Sequence, residues 1–171
     1  MDTASRPILF LDVDGTLLPF GGPGLASAPG PPDSWTAATN PYLVRVDRTL
    51  GPLLAGLGCE LVWATAWMHG ANEVIAPLLG LPHLPVADLP QYEGDRDADN
   101  LQWKTKALVR IAAGRPFVWV DDVIGHADRW WIEVDHPGSA LLYKVDPAVG
   151  LTVADLSAIA AWLREVESGA R

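Results

Sequence analysis

Residues 7–16 read PILFLDVDGT, and this stretch sets the expectation for the whole chain. Its first five residues form an unbroken apolar run, which is typical of a strand buried on both faces within a parallel sheet. The run ends abruptly at Asp12, and a second carboxylate, Asp14, follows two residues later. The stretch therefore predicts a central buried strand with acidic groups at its carboxyl end.

Two later segments share this shape. Residues 60–65 read ELVWAT and residues 116–122 read PFVWVDD, so each apolar run again ends in polar side chains. Each run follows a predicted helix that a glycine closes, over residues 49–57 and 103–113 respectively. Strands that alternate with helices predict an α/β fold with a sheet of parallel strands.

The remainder of the chain continues the alternation. A helix is expected after the second acidic pair and through Trp130, then a strand over residues 141–145, then a last helix that begins at Thr152. Residues 19–34 are rich in glycine and proline, and we expect them to form an exposed loop near the acidic strand ends.

Length and composition limit the class of protein. The chain has 171 residues, enough for one domain over residues 1–171, and its 49% hydrophobic content can supply a core. A formal net charge of −9 disfavours a nucleic-acid binder that works through a basic face. The single cysteine, Cys59, excludes an internal disulfide and a cysteine-cluster metal site. Because neither a leader nor a membrane span is recognisable, we expect a soluble, cytoplasmic protein without a membrane partner.

Polar side chains follow three of the predicted strands. Asp12 and Asp14 follow the first, Thr65 follows the second, and Asp121 and Asp122 follow the third. Ligands bind at the carboxyl ends of strands in open α/β sheets, so these side chains are expected to converge. Four carboxylates at one edge would repel each other strongly unless a divalent cation lies among them. Oxygen ligands of this kind suit Mg²⁺.

The order of these motifs resembles the haloacid dehalogenase-like (HAD) hydrolase superfamily. The sequence DVDGT over residues 12–16, a strand that ends in Thr65, a lysine, and the pair Asp121 and Asp122 occur in the superfamily's order. The resemblance implies a three-layer, Rossmann-like fold with a mainly parallel central sheet. It also implies a Mg²⁺-dependent phosphatase that acts through an aspartyl-phosphate.

The resemblance assigns a role to each of these residues. Asp12 is expected to be the nucleophile, and Asp14 the general acid and base. Thr65 would donate a hydrogen bond to the transferred phosphoryl group. Asp121 and Asp122 would hold Mg²⁺, together with the Asp12 carboxylate and the main-chain carbonyl of Asp14.

Two lysines compete for the role of the phosphate-binding cation. On the predicted helix, Lys104 shares a stripe with Leu108 and Ile111, which faces the sheet. Lys106 shares its face with Arg110, which is typical of a solvent-facing side. The pattern favours Lys104.

A narrower resemblance concerns the small HAD domains of Swiss-army-knife RNA repair proteins. It rests on residues 61–67 (LVWATAW), 103–105 (WKT) and 149–152 (VGLT). The segments between the motifs are too short for a large cap domain, so we expect a capless protein. The expected substrate is phosphorylated, either a small molecule or a polynucleotide end, and the sequence leaves this choice open.

Other functions are compatible with the same motifs. A phosphotransferase or mutase of the same fold would carry the same residues, and so would a non-catalytic binding module. A phospho-receiver domain is disfavoured because its acidic pair comes early in the chain, before the phosphorylated aspartate. Outside the motifs, Asp128 is interpreted as a solvated helix residue in preference to an accessory metal ligand. Trp67 either flanks the site or packs against its neighbours.

Overall fold

In the described part of the chain, the sheet has four strands, all parallel. The computed structural model describes residues 6–21 and 36–169. The strands follow the spatial order β2-β1-β3-β4, and Phe10 in the central β1 lies opposite Val62 on one side and Trp119 on the other. The strands are β1 (Ile8–Leu11), β2 (Glu60–Trp63), β3 (Phe117–Asp121) and β4 (Ala140–Lys144). The α/β fold with a parallel sheet is therefore confirmed.

Helices cover both faces of the sheet in the described part of the chain. They are α1 (Leu50–Ala55), α2 (Ala76–Leu79), α3 (Thr105–Ala112), α4 (His126–Asp135) and α5 (Val153–Gly169). Short 3₁₀ segments lie at Ala37–Thr39 and Pro41–Arg45, and a π-helical turn over Ala71–Ile75 leads into α2.

Alternation along the strands separates two hydrophobic cores. Leu9 and Leu11 of β1 point into one core with α1, α2 and α5, whereas Ile8 and Phe10 point into the other with α3 and α4. All four side chains are at most 1% exposed. β1 is therefore buried on both faces, as its continuous apolar run predicts.

The helix ends differ from the sequence prediction. The helix expected over residues 49–57 ends at Ala55, where the Gly56 N–H bonds back to the preceding turn. The helix expected over residues 103–113 begins at Thr105. The helix expected to stop at Trp130 continues to Asp135, because Ile132 on its next turn is buried in the second core.

No cap domain interrupts the described part of the chain. The connection from β2 to α3 holds the π-helical turn, α2 and an extended segment in which Val86 forms a bridge with Trp63. The predicted loop over residues 19–34 lies outside the described residues from residue 22 onward. None of the described helices is long and apolar enough to cross a bilayer.

Candidate active site

Three carboxylates meet at the carboxyl edge of the sheet. Asp12 directly follows β1, Asp121 is the last residue of β3, and Asp122 comes next. One carboxylate oxygen from each lies within 4.8 Å of the others. The main-chain N–H of Asp12 donates to the Val120 carbonyl at 3.1 Å, so the ladder between β1 and β3 fixes the point where Asp12 leaves the sheet.

A tight turn after β1 lies against Asp122. In this turn the Gly15 N–H donates to the Leu18 carbonyl at 2.9 Å, and Gly15 has a φ of +69°. A Cβ at position 15 would lie 2.4 Å from Oδ2 of Asp122 and 3.1 Å from Cβ of Pro147. Glycine is required here both by its positive φ and by the close approach of the carboxylate.

Lys104 is the cation of this cluster. Its side chain is buried, and Nζ lies 2.8 Å from Oδ1 of Asp12 and 2.6 Å from Oδ2 of Asp121. Its main-chain N–H donates to the Gln102 side chain at 2.7 Å, immediately before α3 begins. The start of α3 thereby aims the lysine at the strand ends.

Lys106 lies elsewhere. It is half exposed and pairs with Asp97 at 2.9 Å and with Asp99, both in the acidic loop that precedes α3. The structure thus brings Lys104, and not Lys106, to the carboxylate cluster.

Burial and crowding of like charges shift the pKa values of these carboxyl groups. Burial raises the pKa of Asp12 to about 8; the Lys104 ammonium opposes this rise, and the Asp121 carboxylate adds to it. Burial and the neighbouring Asp121 raise the pKa of Asp122 to about 6. Burial acts to lower the pKa of Lys104, but its two carboxylate partners outweigh burial and leave that pKa raised. The lysine therefore stays charged within a cluster that has an excess of negative charge.

This donor set fits a divalent cation. Oδ1 of Asp12 accepts a hydrogen bond from the Lys104 ammonium at 2.8 Å, and Oδ2 lies 3.5 Å from the Thr16 hydroxyl. The Asp122 carboxylate interacts with its own main-chain N–H. Carboxylates that converge from three residues match the ligand preference of Mg²⁺. The Asp14 carbonyl, as a further ligand, stays a prediction.

Asp14 is held from a distant part of the chain. The indole Nε1–H of Trp67 donates to Oδ2 of Asp14 at 2.8 Å. Burial raises the pKa of the Asp14 carboxyl, and the hydrogen bond from Trp67 opposes that rise. Trp67 therefore flanks the site and contacts the residue that the sequence resemblance makes the acid and base.

Thr65 lies two residues after the end of β2. It is fully buried, and its hydroxyl accepts a hydrogen bond from the Trp67 main-chain N–H at 3.2 Å. The next residue, Ala66, lines the cavity over the carboxylates. The role of Thr65 toward a phosphoryl group stays a prediction.

Asp128 is not a solvated helix residue, so that interpretation is wrong. It is fully buried at the start of α4 and accepts hydrogen bonds from the Gln102 N–H at 2.7 Å, the Thr105 hydroxyl at 2.8 Å and the Gly125 N–H at 2.8 Å. Arg96 completes the set at 3.0 Å. Asp128 therefore ties the segment that carries Lys104 to α4.

The carboxylate cluster forms the floor of a cavity of about 350 Å³. Among the described residues, its wall also includes the aromatic rings of Phe20, Tyr92 and Trp103. Phe20 belongs to the loop predicted near the strand ends, whereas no motif pointed to Tyr92. The described residues that line it are Asp12, Asp14, Phe20, Ala66, Tyr92, Asp95, Gln102, Trp103, Lys104, Asp121, Asp122 and Val123.

One protein family matches most of the chain's sequence. The family described as the HAD domain in Swiss Army Knife RNA repair proteins matches residues 8–156, which include every candidate site residue. The chain belongs to this HAD family. Its sequence resemblance to small HAD domains is thereby confirmed.

A solved structure shows the same fold. The HAD domain of effector protein Lem4 from Legionella pneumophila superposes with a TM-score of 0.57 over 99% of this chain and 100% of that domain. The two sequences are 14% identical, so the likeness concerns the fold alone. Among curated proteins, no relative matches this chain.

Membership of this family places the chain in the broad class of HAD-type hydrolases. In this HAD domain the acidic cluster could hold a metal ion, and Lys104 bridges two of its members.

Proposed function

We propose that this HAD domain is a Mg²⁺-dependent phosphatase that hydrolyses phosphomonoesters through an aspartyl-phosphate on Asp12. The observation that carries the proposal is the convergence of Asp12, Asp121 and Asp122 within 4.8 Å, with the Lys104 ammonium between the first two. Phosphoryl transfer depends chiefly on positioning and on neutralising negative charge, and this arrangement supports both.

In the first step, a carboxylate oxygen of Asp12 attacks phosphorus. The new O–P bond forms as the bond from phosphorus to the leaving-group oxygen breaks, and the Asp14 carboxyl gives that oxygen its proton. The hydrogen bond from Trp67 supports this role because it fixes the orientation of the Asp14 carboxyl.

In the second step, the ionised Asp14 takes a proton from a water molecule. The resulting hydroxide attacks phosphorus and releases inorganic phosphate, and Asp12 recovers its carboxylate. Asp14 is then protonated again, so the enzyme returns to its starting state.

The charge of the phosphoryl oxygens needs compensation throughout. Lys104 supplies one positive charge at the nucleophile, and the Thr65 hydroxyl, which accepts from the Trp67 N–H, keeps its own proton to donate to the phosphoryl group. Asp12, Asp121 and Asp122, with the Asp14 carbonyl, would hold Mg²⁺, which when bound neutralises the phosphoryl oxygens.

The test is phosphate release from p-nitrophenyl phosphate and a panel of phosphomonoesters, with Mg²⁺ and with a chelator. We expect turnover to require Mg²⁺ and to fall at least about a thousandfold in Asp12→Asn, because the nucleophile is lost. Asp88→Asn is the matched control, since the Asp88 side chain is 96% exposed. Full activity in Asp12→Asn would disprove the proposal.

A further inference from the structure

The outer part of the active-site cavity differs in chemistry from its floor. Beyond the carboxylates and Lys104, the largest side chains that line it are the rings of Phe20, Tyr92 and Trp103. Phe20 and Tyr92 are each 52% exposed. Large aromatic side chains that stay half exposed beside a reactive group present a flat apolar surface to whatever enters.

Tyr92 is held in place at both ends. Its hydroxyl donates to Oδ1 of Asp95 at 3.0 Å, and its ring packs edge-on against Trp103 with centroids 5.3 Å apart at 74°. The main-chain N–H of Trp103 in turn donates to the main-chain carbonyl of Asp95 at 3.1 Å. A half-exposed ring that is fixed in this way loses little further freedom when a ligand packs on it.

Phe20 is anchored through its main chain. Its N–H donates to the Pro147 carbonyl at 2.8 Å, and its carbonyl accepts from the Arg45 guanidinium. Its ring is half exposed and lines the cavity, where a ligand can contact it.

Charge limits what the cavity accepts. Among the described residues that line it, Lys104 is the one cation, and it is already engaged by Asp12 and Asp121. Asp95 adds a further carboxylate at the aromatic end. A substrate with a second anionic group would therefore meet repulsion there, and the described lining residues offer no free cation to offset it.

Resting on the proposed phosphatase function, we infer that the substrate is a small phosphomonoester whose leaving group carries a flat, uncharged aromatic ring near the phosphate. Phe20 and Tyr92 would contact that ring. Asp95 at the aromatic end repels ligands that carry several phosphates. Preferred binding of a polynucleotide end is therefore the result that would contradict this inference.

Binding tests this inference independently of catalysis. Calorimetry in the presence of Mg²⁺ compares benzylphosphonate with cyclohexylmethylphosphonate, which differ in whether the ring is flat. We expect the flat ring to bind about three- to tenfold more tightly. Tyr92→Ala should remove this preference and Tyr92→Phe should retain it. Trp130→Ala, which removes an exposed ring that does not line the cavity, is the control.

A second pair of probes tests the charge argument. We expect 4-carboxybenzylphosphonate and a 3′-phosphorylated oligonucleotide to bind more weakly than benzylphosphonate. Equal binding of the flat and non-flat rings, tighter binding of either anionic probe, or no binding of any phosphonate would overturn the inference.

The two proposals fail separately. A preference for the flat ring without Asp12-dependent turnover would disprove the phosphatase and leave the ligand class standing. Asp12-dependent turnover of benzyl and cyclohexylmethyl phosphates at equal rates, with equal phosphonate binding, would disprove the ligand class and leave the phosphatase standing.

Discussion

Gly15 connects the turn after β1 to the position of Asp122. We predict that Gly15→Ala weakens Mg²⁺ binding, because the new Cβ would occupy the space 2.4 Å from Oδ2 of Asp122 and displace that carboxylate. The positive φ adds about 1–2 kcal/mol of strain. Calorimetric titration with Mg²⁺ measures the effect, which we expect to be roughly tenfold in affinity, or about 1.4 kcal/mol.

Gly80 supplies the control for this substitution. It also has a positive φ, +67°, but a Cβ there would meet nothing within 4 Å. Gly80→Ala should lower stability through strain and leave Mg²⁺ affinity unchanged. Equal Mg²⁺ affinities in the two variants would contradict the argument from Asp122.

Trp67 is a positioning residue for Asp14. Trp67→Phe keeps a ring but removes the 2.8 Å hydrogen bond to the carboxyl that protonates the leaving group. We predict that kcat/KM falls about tenfold or more for alkyl phosphates, which need a proton on leaving, and much less for p-nitrophenyl phosphate. The same loss for both substrates would indicate a purely structural role. Trp130→Phe is the matched control, because Trp130 is exposed and does not line the cavity.

At the scale of elements, the start of α4 holds the segment that carries Lys104. Asp128 on α4 accepts hydrogen bonds from Gln102 and Thr105 on either side of that lysine. We predict that Asp128→Ala lowers the free energy of unfolding by about 3 kcal/mol, because it leaves buried donors and the Arg96 charge without their partner. Chemical denaturation measures this loss. Asp135→Ala, on the exposed end of the same helix, should change stability little; equal losses in both variants would contradict the account.

The sequence predicts strands better than helix ends in this chain. Each core strand is a continuous apolar run, and such a run by itself indicates a strand that is buried on both faces. For this reason β1, β2 and β3 lie within one residue of their predicted bounds. The carboxylates converge because parallel strands end at one edge. Asp128 could not be predicted, since its partner Gln102 is 26 residues away, and Trp67 is 53 residues from Asp14. Such contacts depend on how elements pack, which local pattern does not encode.

At the scale of the whole molecule, the burial of carboxyl groups in the site, together with their like charges, couples stability to pH. Folding raises the pKa of Asp122 to about 6 and that of Asp12 to about 8, from an ordinary value of 3.8. These groups therefore stabilise the metal-free fold fully below their ordinary pKa, and this contribution is lost as pH rises through about 6 and about 8.

Mg²⁺ should reverse this trend. Protons compete with the cation for the same carboxylates, so the rise in melting temperature that Mg²⁺ produces over chelator should grow as pH increases from about 5 to about 9. Thermal unfolding across that range measures it. Asp122→Asn should flatten the dependence, and a wild-type increment that does not change with pH would contradict the argument.

The most direct test of the central claim is the capture of the intermediate on Asp12. Asp14→Asn, which lacks the base for the second step, is mixed with Mg²⁺ and p-nitrophenyl phosphate, quenched, and reduced with borohydride, which converts an acyl phosphate to an alcohol. We predict that mass spectrometry finds homoserine at position 12. Release of p-nitrophenol with aspartate unchanged at position 12, or with the modification on another residue, would contradict the account.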